Sequence, residues 1–527
     1  MALLGVFDQI LSTLSADWKY LDEVFEEPRS VMNQLLKRVF NDIIMRHIDE
    51  GLKQSGLHST AQYLRYLAST YASTLEFIDR LVLMYREHMD DLPATALDNA
   101  VEQTRTFLLN LRAEIYGRYT RPQDIQALEA RFLKEVLDIC AVPIKNQVNA
   151  KKNAKAAKNL FNISGTSDYK PVSANELQQR CQFYLFQGGQ LLLDPQIVEA
   201  SHVSLATFKR LLLLVAEAGN RFCVFFKEKH ELCDLLENYL SFFLETFRKQ
   251  CVQPAFQYLV DEEDWGASGK VFDDRNLVLV KSVNSILGAM QAFFEDQIIP
   301  LTALVSPVCC RKAFEMKNAF FEAGLRYINK TIRGESGAIS THLNAIAQKY
   351  IKRSDFKPKP DNLAAFNACT VFCTSTKDYL RSVARAVKTN LEAPNSTKFL
   401  IRTGKLLFEL LVDIIKKLSF NDVGALVLLN DINSFSEMIS EFGAEPAREL
   451  AQYFGFLREV ANILMVKPEN LRAVVQEGTL NMIDVRLLYP FMVLRSDFKT
   501  SQIETLFPDM SSQISALTAN NPLSIFQ

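Results

Sequence analysis

The sequence predicts an all-α protein, an elongated rod of consecutive helical bundles, and three observations carry that expectation. Gly (19) and Pro (17) are scarce among 527 residues, so few positions interrupt a helix, while the good helix formers Leu, Ala, Lys and Glu are plentiful. Apolar residues recur at the three- and four-residue spacing of an amphipathic helix along most of the chain. Convincing β-hairpin signals are absent. The 37 Phe residues suit the knobs of broad helix–helix interfaces.

The helices follow in order. Pro28 opens one, where proline fits a first turn. Val31, Leu35, Val39 and Ile43, beside Leu36, Phe40 and Ile44, give that helix a broad apolar face, with Gly51 and Gly56 marking its end. The next carries Leu64, Leu67, Tyr71, Leu75, Ile78 and Val82. Further helices are expected at Leu205 to Val215, Phe222 to Phe247, Phe293 to Ile299 and Leu406 to Leu418. In the last, Leu407, Leu410, Leu411, Ile414, Ile415 and Leu418 make a wide stripe. Asp261 to Gly269 and Gly334 to Gly337 read as loops. Connections are mostly short, which favours antiparallel neighbours, and no fixed-period repeat is visible.

Lys145 to Lys158 is basic and is followed by a stretch rich in Asn, Ser and Gly, the pattern of a helix end running into a linker. Lys357-Pro358-Lys359-Pro360 is a second break, because two prolines interrupt any helix. The expected organisation is a bundle over 1–155, a linker over 156–185, a middle bundle over 186–355 and a C-terminal bundle over 356–527. At about 1.5 Å per residue, helices of ~20–25 residues span roughly 30–38 Å. Bundles placed end to end then make a rod on the order of 100 Å.

Composition bounds the function. The chain is 48% hydrophobic and 23% charged, with 59 basic and 61 acidic residues for a net charge of −2. That balance argues against a general nucleic-acid binder. The nine cysteines lie mostly in apolar helical contexts, as expected for reduced thiols of a cytosolic protein. No run reaches ~18–20 uninterrupted apolar residues, and the start lacks the basic flank of a signal peptide.

Chemistry-bearing patterns are few. The six histidines, His47, His58, His88, His202, His230 and His342, show no HExxH or paired spacing. His230 and Cys233, with Cys223, could be drawn as a metal corner. Cys369 and Cys373, read as four apart on one helix face, form either a redox or metal pair or two small residues facing a neighbouring helix. The adjacent Cys309-Cys310 are poorly placed to bridge each other. Phosphate-cradling glycine loops and nucleophile elbows are missing. The acidic pairs Asp90-Asp91, Glu262-Glu263 and Asp273-Asp274 sit in polar contexts. No catalytic residue, cofactor or metal is therefore expected. Lys151, Lys152, Lys155 and Lys158 could meet anionic lipid, or form a solvated face.

Three blocks carry a family resemblance. The first runs from Gln348 to Pro358 and includes Asp355, Phe356 and Pro358, followed by Asn367-Ala368-Cys369 and Val371-Phe372-Cys373. The second spans Gly424 to Phe442, with Asp431-Ile432-Asn433-Ser434-Phe435. The third contains Pro468, Asn470 and Leu471, then Arg495-Ser496-Asp497-Phe498-Lys499. In this order they resemble the Sec-ten subunit family of the exocyst, over about the last third of the chain, with weaker similarity upstream. The resemblance implies a rod of helical bundles with no enzymatic activity. It implies a cytoplasmic subunit of a complex that docks secretory vesicles at the plasma membrane before fusion. The implied partners are the other exocyst subunits, the Sec-fifteen subunit above all, and small GTPases. Family members begin with a longer region that pairs as a coiled coil, whereas Met1 lies close to the first bundle. The expectation is a truncated gene model or a lineage that lost the segment. Alternatives are a recyclin-type adaptor, which shares the C-terminal module but carries an F-box not seen near Met1, and a helical small-GTPase regulator.

Overall fold

The computed structural model describes the chain apart from residues 1, 90–92, 160–185, 188–189, 192–203, 260–271, 359–368, 478–484 and 508–527. The architecture is all-α. Two compact units emerge, one formed by Met1–Tyr258 with Asn284–Gly324 and the other by Leu259–Val283 with Leu325–Gln527.

In the first unit the helices are α1 (Ala2–Val24), α2 (Pro28–Arg38), α3 (Met45–His58), α4 (Thr60–Glu87), α5 (Ala94–Tyr116), α6 (Pro122–Asn159), α7 (Leu205–Phe225), α8 (Lys229–Phe247) and α9 (Gln253–Leu259). The C-terminal part of α10 (Asp274–Phe293), α11 (Ile299–Val305) and the start of α12 (Pro307–Tyr350) complete it. Helix α4 packs against α1, α3, α5 and α7, and α8 against α6 and α7. The core is aromatic. Phe7 stacks on Phe77 at 4.4 Å, Trp18 meets Tyr85 edge-on at 4.7 Å, and Tyr71 meets Tyr116 and Phe225 at 4.9 and 5.2 Å.

Pro28 stands in the first turn of α2 as its chemistry requires. Val39–Ile44 is a π-helical turn, which rotates the residues that follow it. The buried face is accordingly Met32, Leu36, Val39, Phe40 and Ile44, while Ile43 is 43% exposed. Gly51 and Gly56 lie inside α3 and do not end it. The break comes at Ser59, whose hydroxyl accepts from the Gln62 N–H at 3.1 Å and caps α4. The single helix expected over Phe222 to Phe247 is two, parted at Phe226–Glu228. A short hairpin pairs β1 (Phe186–Gln187) with β2 (Gln190–Leu191). The Gly188-Gly189 dipeptide between them is a two-residue hairpin signal, so the expectation of no such signal does not hold there.

In the second unit, α13 (Val371–Asn390), α14 (Ala393–Ile415), α15 (Asp422–Ser440) and α16 (Ala444–Met465) form a bundle, with α16 packed on both α14 and α15. Short helices α17 (Pro468–Glu477) and α18 (Val485–Met492) follow. Leu407, Leu411, Ile415 and Leu418 of the expected stripe are buried, and Leu410 and Ile414 are half-buried. Gly334 to Gly337 is helical, inside the 44-residue α12. There the buried Glu335 accepts from the Asn276 side chain and, at 3.1 Å, from the Asp273 N–H.

The stretch Asp274–Val305 is apolar and long enough to cross a membrane by length and composition. Its apolar side chains Leu277, Val280, Val283, Leu287, Met290, Phe294 and Ile298 are buried in the protein core, which accounts for that composition without a bilayer. The loop expected at Asp261 to Gly269 lies outside the described residues.

Candidate functional site

The family-resembling residues of the second unit converge on the ends of its helices. A 3₁₀ turn over Arg353–Phe356 places Phe356 at the start of α15. The Phe356 ring is buried and meets Phe420 edge-on at 5.4 Å. Its carbonyl accepts the Asn421 N–H at 3.4 Å, and the Asn421 amide donates to the Pro358 carbonyl at 3.0 Å. The Asn421 side-chain oxygen also accepts the Gly424 N–H at 2.7 Å and caps α15. A Cβ at position 424 would lie 1.7 Å from the Phe356 carbonyl oxygen. Only glycine allows that approach.

Phe420 then pairs with the third block. Its N–H donates to the Leu494 carbonyl at 2.9 Å, and the Ser496 N–H donates back at 2.7 Å. Between them Arg495, 4% exposed, donates through Nη1 to the carbonyls of Ile463 and Val466 at 2.7 and 2.5 Å. Those carbonyls end α16 and lack an intrahelical donor. Its Nε and Nη2 form a fork on Asp497 at 2.9 and 2.7 Å. That hydrogen bond holds the Asp497 carboxyl below its ordinary value. Pro468 opens α17, the Asn470 N–H closes on the Lys467 carbonyl at 3.0 Å, and Leu471 is fully buried.

The second block meets the first through Asp431 on α15. Thr370 caps α13, accepting the Cys373 N–H at 3.1 Å and donating its hydroxyl to Asp431 at 2.6 Å. The Thr370 N–H reaches the other Asp431 oxygen at 2.9 Å, and the Cys373 thiol donates to the Asp431 carbonyl at 3.7 Å. Burial pushes the Asp431 carboxyl up to about 6, against the pull of the Thr370 hydrogen bonds. Cys369 precedes α13, so it does not share a helix face with Cys373. The Cys369 and Cys373 sulfurs and an Asp431 oxygen nevertheless lie within 4.8 Å of one another.

In the first unit, Arg221 of α7 forks onto Glu129 of α6, with Nη2 to oxygen at 2.8 Å, the two side chains being 10% and 0% exposed. Burial lowers the Arg221 pKa, and the Glu129 hydrogen bond and charge more than reverse this, leaving it raised. His230 is 91% exposed at its side chain and pairs with Asp234 at 3.5 Å. The thiol that contacts Cys233 is that of Cys309 on α12. Burial pushes the Cys251 and Cys309 thiols up to about 12, the opposite of an activated nucleophile. Helix α6 runs through Lys151, Lys152, Lys155 and Lys158, whose side chains lie outside the described residues.

The exposed surface carries a different set of residues. A cleft of about 390 Å³ runs along α14, lined by Lys398, Ile401, Arg402, Lys405, Leu406 and Glu409. Tyr20, Val24, Leu57, Leu213 and Leu304 are exposed apolar side chains of the first unit, at 64–82%. Sequence reasoning passed over the cleft, the Arg221–Glu129 pair, and the partners Thr370, Phe420 and Asn421. The helix expected over Leu406 to Leu418 begins after Lys398, Arg402 and Lys405, and its stripe describes a buried side.

These features define a helical-bundle scaffold whose motif side chains are used to close its own helix ends. The chain belongs to the family described as Exocyst complex component Sec10-like, alpha-helical bundle, which it matches over residues 2–507. It is 22% identical over 502 residues to Exocyst complex component 5 of Homo sapiens, covering 93% of this chain and 63% of that relative. To Exocyst complex component SEC10b of Arabidopsis thaliana it is 24% identical over 532 residues, covering 97% and 60%. To Exocyst complex component SEC10 of Saccharomyces cerevisiae it is 21% identical over 504 residues, covering 94% and 54%. The chain thus spans less than two thirds of the length of these relatives.

Proposed function

We propose that the chain is a non-enzymatic subunit of the exocyst, which docks secretory vesicles at the plasma membrane before fusion. The observation that carries this reading is the family match over residues 2–507, which takes in both compact units. The second unit adds support, because its motif residues hold helix ends together and leave the surface to partners. The partners in this reading are the other exocyst subunits, the Sec-fifteen subunit foremost, and small GTPases. The protein acts in the cytoplasm and is recruited with its complex to the plasma membrane and vesicles. Lys151, Lys152, Lys155 and Lys158 are the residues assigned to anionic lipid.

Affinity purification of the tagged chain from its own cells, with mass spectrometry of what accompanies it, tests the reading. Near-stoichiometric recovery of the other exocyst subunits is expected. Ubiquitin-ligase adaptors in their place would move the chain to a recyclin-type role, and recovery of neither overturns the proposal. For the lipid assignment, neutralising the four lysines together should reduce sedimentation with vesicles rich in phosphatidylserine. Unchanged sedimentation removes it.

A further inference from the structure

We propose that Cys369, Cys373 and Asp431 form a binding site for a thiophilic divalent cation of the zinc class, which staples the segment before α13 to α15. Two sulfurs and a carboxylate oxygen lie within 4.8 Å of one another. Bonds to such an ion are about 2.3 Å to sulfur and about 2.0–2.2 Å to oxygen, so atoms this close to one another are spaced to share it.

The Asp431 side chain gives the independent argument. It is 2% exposed, and it accepts hydrogen bonds from Thr370 and from the Cys373 thiol, one of the proposed ligands. No lysine or arginine among the described residues pairs with it. Lys377, the cation on the adjoining turn of α13, donates to the Ser434 hydroxyl. A buried carboxylate without a counter-charge is costly, and buried charges are otherwise paired or bound to metal. Each Asp431 oxygen accepts one bond from Thr370, leaving lone pairs free. Thr370 thereby orients the carboxylate from outside the coordination shell, as ligand-supporting hydrogen bonds do. Cys369 is half-buried and Cys373 buried, so an ion reaches the site from the Cys369 side.

The balance of the step is simple. The cation displaces one proton from each thiol to solvent, forming two metal–sulfur bonds. Asp431 supplies a third bond without losing a proton, and a water completes four-coordination. A second three-ligand cluster among the described residues, Cys233, Asp234 and Glu237, differs in the decisive respect. There the Lys312 ammonium already sits 2.6 Å from Glu237 and supplies the positive charge.

The test is a titration of the reduced, chelator-treated full chain with Co²⁺, followed by absorbance. One equivalent should bind with a thiolate-to-cobalt charge-transfer band in the near ultraviolet, and Zn²⁺ should displace it. Cys369→Ser should weaken cobalt binding and diminish the band, and Cys233→Ser should leave both unchanged. Cys369 is chosen because it is half-buried and precedes the helix, so its substitution disturbs the packing less than Asp431→Asn or Cys373→Ser. No thiolate band at stoichiometric cobalt, or an affinity and band unchanged by Cys369→Ser, overturns the proposal.

Discussion

In the first unit many joins set side chain against side chain, with Phe7 on Phe77, Trp18 on Tyr85 and the Arg221 fork on Glu129, beside a few on backbone such as Arg112 on the Tyr71 carbonyl. In the second unit, distant segments are joined through backbone. Phe420 exchanges hydrogen bonds with Leu494 and Ser496, Arg495 holds the carbonyls of Ile463 and Val466, and Asn421 binds the carbonyl of Pro358. Apolar packing accepts exchange of one large side chain for another when volume is kept. A guanidinium reaching two carbonyls, or a glycine under a carbonyl, accepts no such exchange.

The comparison is broken most severely at a place where the first unit, too, depends on specific polar geometry. Arg221→Met leaves Glu129 buried and unpaired, at an expected cost of about 3–5 kcal/mol. Thermal unfolding of the full chain measures it. The double variant Arg221→Met with Glu129→Leu should recover much of the loss, since paired burial is often replaceable by apolar packing. A double variant as unstable as the sum of the singles would show that this unit, too, is built on irreplaceable polar contacts.

Gly424→Ala comes next. The added methyl cannot avoid the Phe356 carbonyl, so the strap before α15 must lift, at a cost near the top of the ~1–3 kcal/mol range for overpacking. Gly455, in α16, has nothing within 4 Å of its Cβ position. Gly455→Ala should therefore be neutral or stabilise by up to about 1 kcal/mol through helix propensity. Equal effects of the two substitutions in a denaturant titration would refute the strap.

Arg495→Lys sharpens the contrast by keeping the charge and removing the fork. One ammonium cannot serve two carbonyls and a carboxylate in that geometry, so a loss of about 2 kcal/mol is expected. A pH series adds a signature. The folded-state pKa of Asp497 is depressed, so its contribution is present above the unfolded aspartate value of about 3.9. It is lost as pH falls through the folded value. Asp497→Asn should flatten the acid limb of the stability profile below about pH 4 and leave its neutral part parallel to the wild type.

Much of the fold could be read from the sequence because it rests on periodicity. Pro28 opens its helix, and Leu407, Leu411 and Ile415 face the core. What could not be read depends on context. Gly334 to Gly337 carries the local cost of glycine in a helix, but tertiary contacts such as those of Glu335 hold it within α12. Phe226–Glu228 breaks a continuous apolar pattern without a proline or glycine to announce it. At the candidate site the sequence named Arg495, Phe356, Cys369 and Cys373 but not their roles. Apart from Asp497, two residues from Arg495, their partners are main-chain carbonyls or side chains tens of residues away, and neither leaves a spacing signal.

The smallest expected effect tests the register of the first unit. A face drawn at strict four-residue steps puts Ile43 beside Val39, and Ile43→Ser would then cost as much as any core truncation. The π turn over Val39–Ile44 adds a residue to the local winding and carries Ile43 outward, while Phe40 and Ile44 remain fully buried. Ile43→Ser should accordingly change stability by no more than about 0.5 kcal/mol, whereas Phe40→Ala should lose about 3–5 kcal/mol. A large loss from Ile43→Ser would mean that the turn is regular α-helix in solution and that the aromatic core around Phe77 is packed in a different register.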